Sequence, residues 1–145
     1  MTVIEKLKKE SMRLRKERSP VAASIQFALS EIEKVGKNAG NRATTDDEAI
    51  RVIQKIVATI NENLTHADTG RKVHLNYEKT VLESVLPQMA TEEEVTAFLK
   101  SKYVFAAAAD DMPKKGEIMR ALREEFGALV DMKRAGTIVS ELYGV

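Results

Sequence analysis

Apolar residues recur at three- and four-residue steps along most of this chain, which is the spacing of amphipathic α-helices. A patchy apolar stripe of Val3, Ile4, Leu7 and Leu14 marks a basic first helix. Ser19 and Pro20 form an N-cap and first-turn signal for a second helix, which Gly36 is expected to end. The apolar face of this second helix holds Val21, Ile25, Ala28, Leu29, Ile32 and Val35.

A third helix begins at Thr45, because Glu48 three residues later completes a capping box. Its apolar face consists of Ile50, Ile53, Ile56, Val57, Ile60 and Leu64. These residues are mostly β-branched, so a strand has to be weighed, but the spacing over about 15 residues favours a helix. We expect a connection over 66–73, then a short helix that ends before Pro87.

The helices predicted beyond Pro87 are shorter. Thr91 and Glu94 form another capping box, and Pro113 is expected to introduce a helix. Gly127 should end that helix, and Asp131 can cap a last one. The alanine run at 106–109 fits a loop or a helix, and local propensity favours helix. The pattern predicts an all-α protein, with an N-terminal four-helix unit over 1–88 and a small C-terminal three-helix unit over 89–145.

Composition narrows the classes of function. The 145 residues include no cysteine and no tryptophan, and aromatic residues make up 5%. Without cysteine there are no disulfides and no thiolate chemistry, which fits a reducing compartment. The scarcity of aromatic rings disfavours a nucleic-acid reader that stacks bases. The sequence lacks an apolar run of about 18 residues and an apolar signal region, so we expect a cytoplasmic protein with no membrane span.

Nothing in the sequence has the spacing of an active site, a metal site or a cofactor site. His66 and His74 are expected as exposed loop residues, and a zinc site would need three or four ligands. The carboxylates of 46–48 and 92–94 are explained as first-turn residues of capped helices. Phosphate-binding glycine loops and nucleophile motifs are missing. We therefore expect a protein that is not an enzyme and uses no cofactor or metal.

The distribution of charge bears most directly on function. The formal net charge is only +1, yet the first 18 residues carry seven basic and three acidic residues, a net +4. A second basic set lies between Lys100 and Arg134, and residues 75–99 between them are acidic. Basic segments suit contact with a phosphate backbone through point charges. Simple solvation of helix surfaces is the alternative, and a membrane-surface helix is disfavoured by the narrow apolar face of the first helix.

Four stretches carry a resemblance to a known family. They are Met12 to Ile32, Thr45 to Ile60, Leu86 to Glu94, and Gly116 to Leu122 together with Asp131 and Lys133. These stretches resemble the YqeY family, which is related to the tail domain of the B subunit of tRNA-dependent amidotransferase. Leu129 and Met132 replace an arginine and a glycine of the family's Gly-Arg-Ala-Asp-Gly-Lys turn, and Glu117 replaces a lysine. The resemblance implies two helical units, a tRNA-binding or accessory role, and no catalysis of its own.

Charge and resemblance together predict a non-enzymatic accessory module that binds tRNA, or an aminoacyl-tRNA or amidotransferase-type complex. The candidate phosphate contacts are Arg13, Lys16, Arg18, Lys114, Lys115, Arg120 and Lys133. The alternative is a protein-interaction module whose C-terminal helical unit docks a protein partner. An enzyme acting on an aminoacyl or amide group is a third possibility, suggested by the resemblance alone.

Overall fold

The computed structural model describes residues 1–103 and 113–143, and over these two ranges it contains helices and no strand. The all-α prediction is confirmed. The helices are α1 Val3–Lys16, α2 Ala22–Asn38, α3 Asp46–Leu64, α4 Thr69–Ser84, α5 Glu92–Lys102, α6 Lys115–Phe126 and α7 Met132–Leu142. The chain divides into two compact units, Met1–Pro87 and Gln88–Val145, called unit 1 and unit 2 below. The alanine run at 106–109 lies outside the described residues.

A capping box that the sequence analysis missed begins α1. The Thr2 hydroxyl oxygen accepts the Glu5 N–H at 3.1 Å, and the Glu5 carboxylate accepts the Thr2 N–H at 3.1 Å. Asp46, at the start of α3, accepts the Val3 N–H at 2.8 Å. The first turns of α1 and α3 are therefore joined as well as capped.

The predicted start of α2 was wrong. Ser19 is not its N-cap, because α2 begins at Ala22 and Val21 occupies the cap position without a side-chain hydrogen bond. The Ser19 hydroxyl instead accepts the Val21 N–H at 3.3 Å, inside the turn that contains Pro20. Ser19 and Pro20 thus shape the turn between α1 and α2 and leave the helix to begin two residues later.

The predicted end of α2 was also wrong, because Gly36 lies inside the helix, which continues to Asn38. Glycine is needed at position 36 for a different reason. A Cβ atom there would lie 2.2 Å from the Arg42 carbonyl oxygen and 2.7 Å from the Thr44 nitrogen. The loop after α2 therefore packs directly on the backbone of its last turn.

The capping box at Thr45 is confirmed, with the Glu48 N–H donated to the Thr45 hydroxyl at 3.2 Å. The predicted connection over 66–73 was wrong, because α4 already begins at Thr69. Asp68 caps α4 by accepting the Arg71 N–H at 2.8 Å. The core of unit 1 is built from fully buried Leu7, Leu14, Ile25, Ile32, Ile53, Leu75 and Leu82.

Unit 2 begins with α5, whose N-cap Thr91 accepts the Glu94 N–H at 3.1 Å. Only this half of the predicted capping box at Thr91 is formed, because the Glu94 carboxylate accepts the Thr91 hydroxyl at 3.2 Å and not its backbone N–H. Gly127 ends α6 with φ 57°, and Asp131 caps α7, as predicted for both. The core of unit 2 consists of Val95, Leu99, Ile118, Leu122, Val130, Ala135, Ile138 and Val139.

Candidate nucleic-acid interface

The basic residues of α1 lie at different positions around the helix axis. Its buried residues, Val3, Leu7, Ser11 and Leu14, form one stripe. Most of the remaining residues of α1 are exposed. We call Lys8, Lys9, Met12, Arg15 and Lys16 the outward face of α1. Glu5 and Arg13 are exposed on the same side of the helix, so the four cations and the methionine of the outward face have one carboxylate and one further cation beside them.

Pairing separates Arg13 from the cations of the outward face. The Arg13 guanidinium lies 2.7 Å from a Glu10 carboxylate oxygen and 3.0 Å from one of Glu17. These hydrogen bonds raise the pKa of Arg13 well above its usual value and compensate its charge. In the part of the chain that the structure describes, no carboxylate lies within 4.0 Å of the Lys8, Lys9, Arg15 or Lys16 side-chain nitrogens. A phosphate approaching α1 would meet these four charges without an ion-pair partner, although the capping carboxylate of Glu5 lies three and four residues before Lys8 and Lys9.

The C-terminal end of α1 concentrates further positive charge. Arg13, Arg15 and Lys16 lie in its last turn, where cations interact favourably with the helix dipole. Arg18 follows with φ 55°, an exposed residue in the left-handed region. The helix dipole explains the stabilising role of the last-turn cations, but not the exposed Lys8 and Lys9, which lie earlier in α1.

The four candidate residues of unit 2 lie on α6 and at the start of α7, and all are exposed. Lys114 is the N-cap of α6 and makes no side-chain cap bond, and Lys115 is its first residue. The Lys115 ammonium donates to the Ser140 hydroxyl of α7 at 3.1 Å. Arg120 lies in the middle of α6, and Lys133 in the first turn of α7. Lys115 is thus held against α7 by its hydrogen bond.

A polar cluster in unit 1 was not anticipated from the sequence. His74 was expected in a loop but lies in α4, half-buried, with Nε2 3.5 Å from the Ser24 hydroxyl of α2. One turn later, burial raises the pKa of Glu78, while His74, Arg71 and a hydrogen bond from Ser24 oppose that rise. The structure therefore brings the Ser24 hydroxyl next to the His74 imidazole and places Glu78 one turn further along α4. The i, i+4 spacing of His74 and Glu78 was visible in the sequence, but the expectation that His74 is a loop residue concealed it.

Comparison with known protein families identifies a match for this chain. The Yqey-like protein family matches residues 2–143, which is nearly the whole chain. This chain belongs to the YqeY family. A comparison with curated proteins found no match. The family that the four sequence stretches indicated is thus confirmed. The relation to the amidotransferase tail is a general resemblance of the family as a whole.

The positions where this YqeY protein departs from the family turn have structural roles. Leu129 lies in a short 3₁₀ turn, and its carbonyl oxygen accepts the Ala90 N–H at 2.8 Å. Met132 begins α7 and packs, partly buried, against the core of unit 2. Both positions therefore stabilise unit 2 and present no cation to a ligand.

Residues 1–103 and 113–143 contain neither a membrane span nor a metal cluster. None of the helices there combines the length and the apolar character needed to cross a membrane. Nor do these residues bring three or more histidine, cysteine, aspartate or glutamate side chains together as a metal site.

Proposed function

We propose that this YqeY protein is a non-enzymatic accessory module that binds tRNA, free or within an aminoacyl-tRNA complex, in the cytoplasm. The observation that carries the proposal is the outward face of α1, where Lys8, Lys9, Arg15 and Lys16 have no carboxylate partner among residues 1–103 and 113–143. Uncompensated cations at a helix surface supply the non-specific, salt-dependent part of nucleic-acid affinity. The family's relation to an amidotransferase tail supports tRNA as the nucleic acid.

The dimensions of this face suit a nucleic-acid backbone. Lys8 and Lys16 are eight residues apart on α1, a rise of about 12 Å. A duplex carries about one phosphate per 1.7 Å of its axis, so several phosphates lie within that length. Long, flexible lysine side chains act as point charges and position a backbone without distinguishing its sequence. The face therefore fits a module that holds tRNA and leaves sequence reading and chemistry to other proteins.

The cations predicted from the sequence are expected to contribute unequally to tRNA affinity. In unit 1, Lys16 is part of the outward face, and Arg18 is an exposed contact just after α1. Arg13 contributes less because Glu10 and Glu17 compensate its charge. In unit 2, the proposed contacts are Lys114, Lys115, Arg120 and Lys133. Each unit thus offers its own exposed cations to the phosphate backbone.

Binding of fluorescently labelled bulk tRNA, measured by anisotropy at about 50 mM salt, tests the proposal. We expect the double substitution Lys9→Glu, Lys16→Glu to weaken binding at least about tenfold. The matched control is Lys37→Glu, Lys72→Glu, which changes the net charge equally at two exposed positions of α2 and α4. Equal losses in both double variants, or no binding by the wild type, would contradict the proposal.

Arg13→Ala gives a further comparison within α1. Because the Arg13 guanidinium is already bound to Glu10 and Glu17, its removal should weaken tRNA binding less than Lys16→Ala does. The same anisotropy assay measures both variants. A larger loss for Arg13→Ala than for Lys16→Ala would show that the pairing in α1 does not decide which cations bind.

A further inference from the structure

Unit 1 carries an open recess between α1 and α4 with a volume of about 640 Å³. Recesses that hold small organic groups have volumes of roughly 300–1,000 Å³. Glu10 and Arg13 of α1 form one wall, and residues of α4 form the other. The lining residues of α4 are Val73, Asn76, Tyr77, Thr80, Val81 and Ser84. The recess therefore lies directly beside the basic first helix.

The α4 wall of this recess is exposed but uncharged. Five of its residues recur at three- and four-residue steps, and all five are exposed. We call them the uncharged face of α4, and they are Val73, Asn76, Tyr77, Thr80 and Ser84. The charged residues Lys72 and Glu83 of the same helix do not line the recess. A tyrosine among uncharged neighbours is typical of the buried centre of an interface.

The polar groups of this recess suit an uncharged occupant. In residues 1–103 and 113–143, neither the Tyr77 hydroxyl nor the Asn76 side-chain amide has a hydrogen-bond partner, because Asn76 bonds Thr80 through its backbone carbonyl oxygen. On the opposite wall, the Arg13 guanidinium donates to the Glu10 carboxylate at 2.7 and 3.0 Å, so these two charges compensate each other. An occupant would meet a ring, an amide and a paired charge. A flat, uncharged group with hydrogen-bonding edges fits these surroundings.

Cations of the outward face of α1 border the recess. Lys9 precedes Arg13 by four residues and Lys16 follows it by three, and residues at these spacings are neighbours on a helix surface. A cationic strip therefore adjoins an uncharged wall. An unpaired nucleic-acid strand has the same division, because its phosphates carry charge and its exposed bases are flat and uncharged. A duplex would offer this wall only its phosphates, because its bases are paired and stacked in the interior.

We propose that the recess holds an unpaired nucleotide of the bound RNA, with its base stacked on the Tyr77 ring and its phosphates beside Lys9 and Lys16. The inference rests on the proposed tRNA binding and adds that an unpaired segment of the tRNA is held. Stacking on an aromatic ring tolerates every base, so it adds affinity for a single strand without reading sequence. The free Asn76 amide is placed to bond the edge of the stacked base. One ring holds one base, which agrees with the scarcity of aromatic residues in the chain.

Fluorescence anisotropy at about 50 mM salt tests the inference with two labelled RNA probes. One is an unpaired oligonucleotide of about 10 nucleotides, and the other is a duplex with the same number of phosphates. We expect Tyr77→Ala to weaken binding of the unpaired probe at least about fivefold, and binding of the duplex less than about twofold. Tyr77→Phe keeps the ring and should bind both probes like the wild type. Because Tyr77 is 43% exposed, both variants should stay folded, which circular dichroism checks.

Phe27→Ala is the matched control, since Phe27 is 59% exposed on α2 and does not line the recess. It should bind both probes like the wild type. The double substitution Lys9→Glu, Lys16→Glu should weaken both probes, because it removes phosphate contacts. Equal losses for the two probes in Tyr77→Ala, no loss in that variant, or the same loss in Phe27→Ala would overturn the inference.

The two probes also separate this inference from the proposed function. A wild type that binds the duplex and bulk tRNA but not the unpaired probe would overturn the inference and leave the proposed function standing. A wild type that binds neither probe nor bulk tRNA would contradict the proposed function, and the inference would fall with it.

Discussion

Replacement of Gly36 by alanine sets two physical effects against each other. Gly36 lies inside α2, where alanine is the better helix former by about 0.5–1 kcal/mol. The new Cβ, however, would lie 2.2 Å from the Arg42 carbonyl oxygen and 2.7 Å from the Thr44 nitrogen. Both are backbone atoms, so no side-chain rotation relieves the overlap.

The loss of stability in Gly36→Ala depends on how far the loop after α2 has to move away from the helix. Overpacking a closely packed site costs about 1–3 kcal/mol. Retreat of the loop also strains two hydrogen bonds, Gly36 N–H to the Thr44 hydroxyl and Arg42 N–H to the Gly36 carbonyl, both 3.0 Å. The loss of one of them adds about 1 kcal/mol, which offsets the gain in helix propensity. We therefore expect Gly36→Ala to lower the free energy of unfolding of unit 1 by about 2 kcal/mol.

Thermal and urea unfolding of the full chain, followed by circular dichroism, measures this loss. For a unit spanning Met1–Pro87, about 2 kcal/mol corresponds to a fall in Tm of roughly 10 °C. Gly70→Ala is the matched control, because a Cβ on Gly70 of α4 meets only Asp68 Oδ1, at 3.7 Å. Gly70→Ala should be as stable as the wild type or slightly more so. A Gly36→Ala protein as stable as Gly70→Ala would refute the close approach of loop and helix.

Three further predictions concern individual groups. Burial raises the pKa of Glu78, so its protonated carboxyl favours folding below about pH 4.5, and this contribution is lost as the pH rises through the pKa of the folded state. In urea unfolding, Glu78→Gln should therefore be more stable than the wild type at pH 7, and its stability should depend less on pH. A less stable variant would contradict this. The Arg42 guanidinium holds the pKa of Glu48 at about 2. An NMR titration of Arg42→Ala should therefore show the Glu48 pKa rising toward 4.5. An unchanged pKa would contradict the pairing. Thr45→Ala should lower the free energy of unfolding in urea by about 1 kcal/mol, because it removes the cap of α3. Thr59→Ala, a control inside α3, should lower it much less. Equal losses would argue against the cap.

The sequence could predict helix ends wherever the decisive chemistry lies within one turn. The caps at Thr45 and Asp131 are of this kind, since each accepts an N–H from a residue two or three positions later. Gly36 shows the opposite case, because the reason for glycine there lies in a loop that returns to the helix. The start of α4 was missed because Thr69 and Gly70 are weak helix formers, and only the cap at Asp68 marks it.

The candidate site was predictable in outline. The excess of cations in α1 is visible in the sequence, and so is the i, i+3 and i, i+4 spacing that pairs Arg13 with Glu10 and Glu17. That spacing alone would also have paired Glu5 with Lys8 and Lys9, whereas in the structure the Glu5 carboxylate accepts the Thr2 N–H of the capping box. The recess beside Tyr77 was not predictable, because it depends on how α1 and α4 are spaced after packing.

The salt dependence of tRNA binding tests the central claim most directly. The comparison is between the wild type and a variant in which the four outward cations of α1 become alanine, namely Lys8, Lys9, Arg15 and Lys16. Each phosphate contact contributes about 0.7–0.9 to the slope of log K against log salt concentration. We predict that the slope of the variant is smaller in magnitude by about three. Equal slopes for the two proteins, or wild-type binding that does not change with salt, would contradict an RNA-binding role for this face.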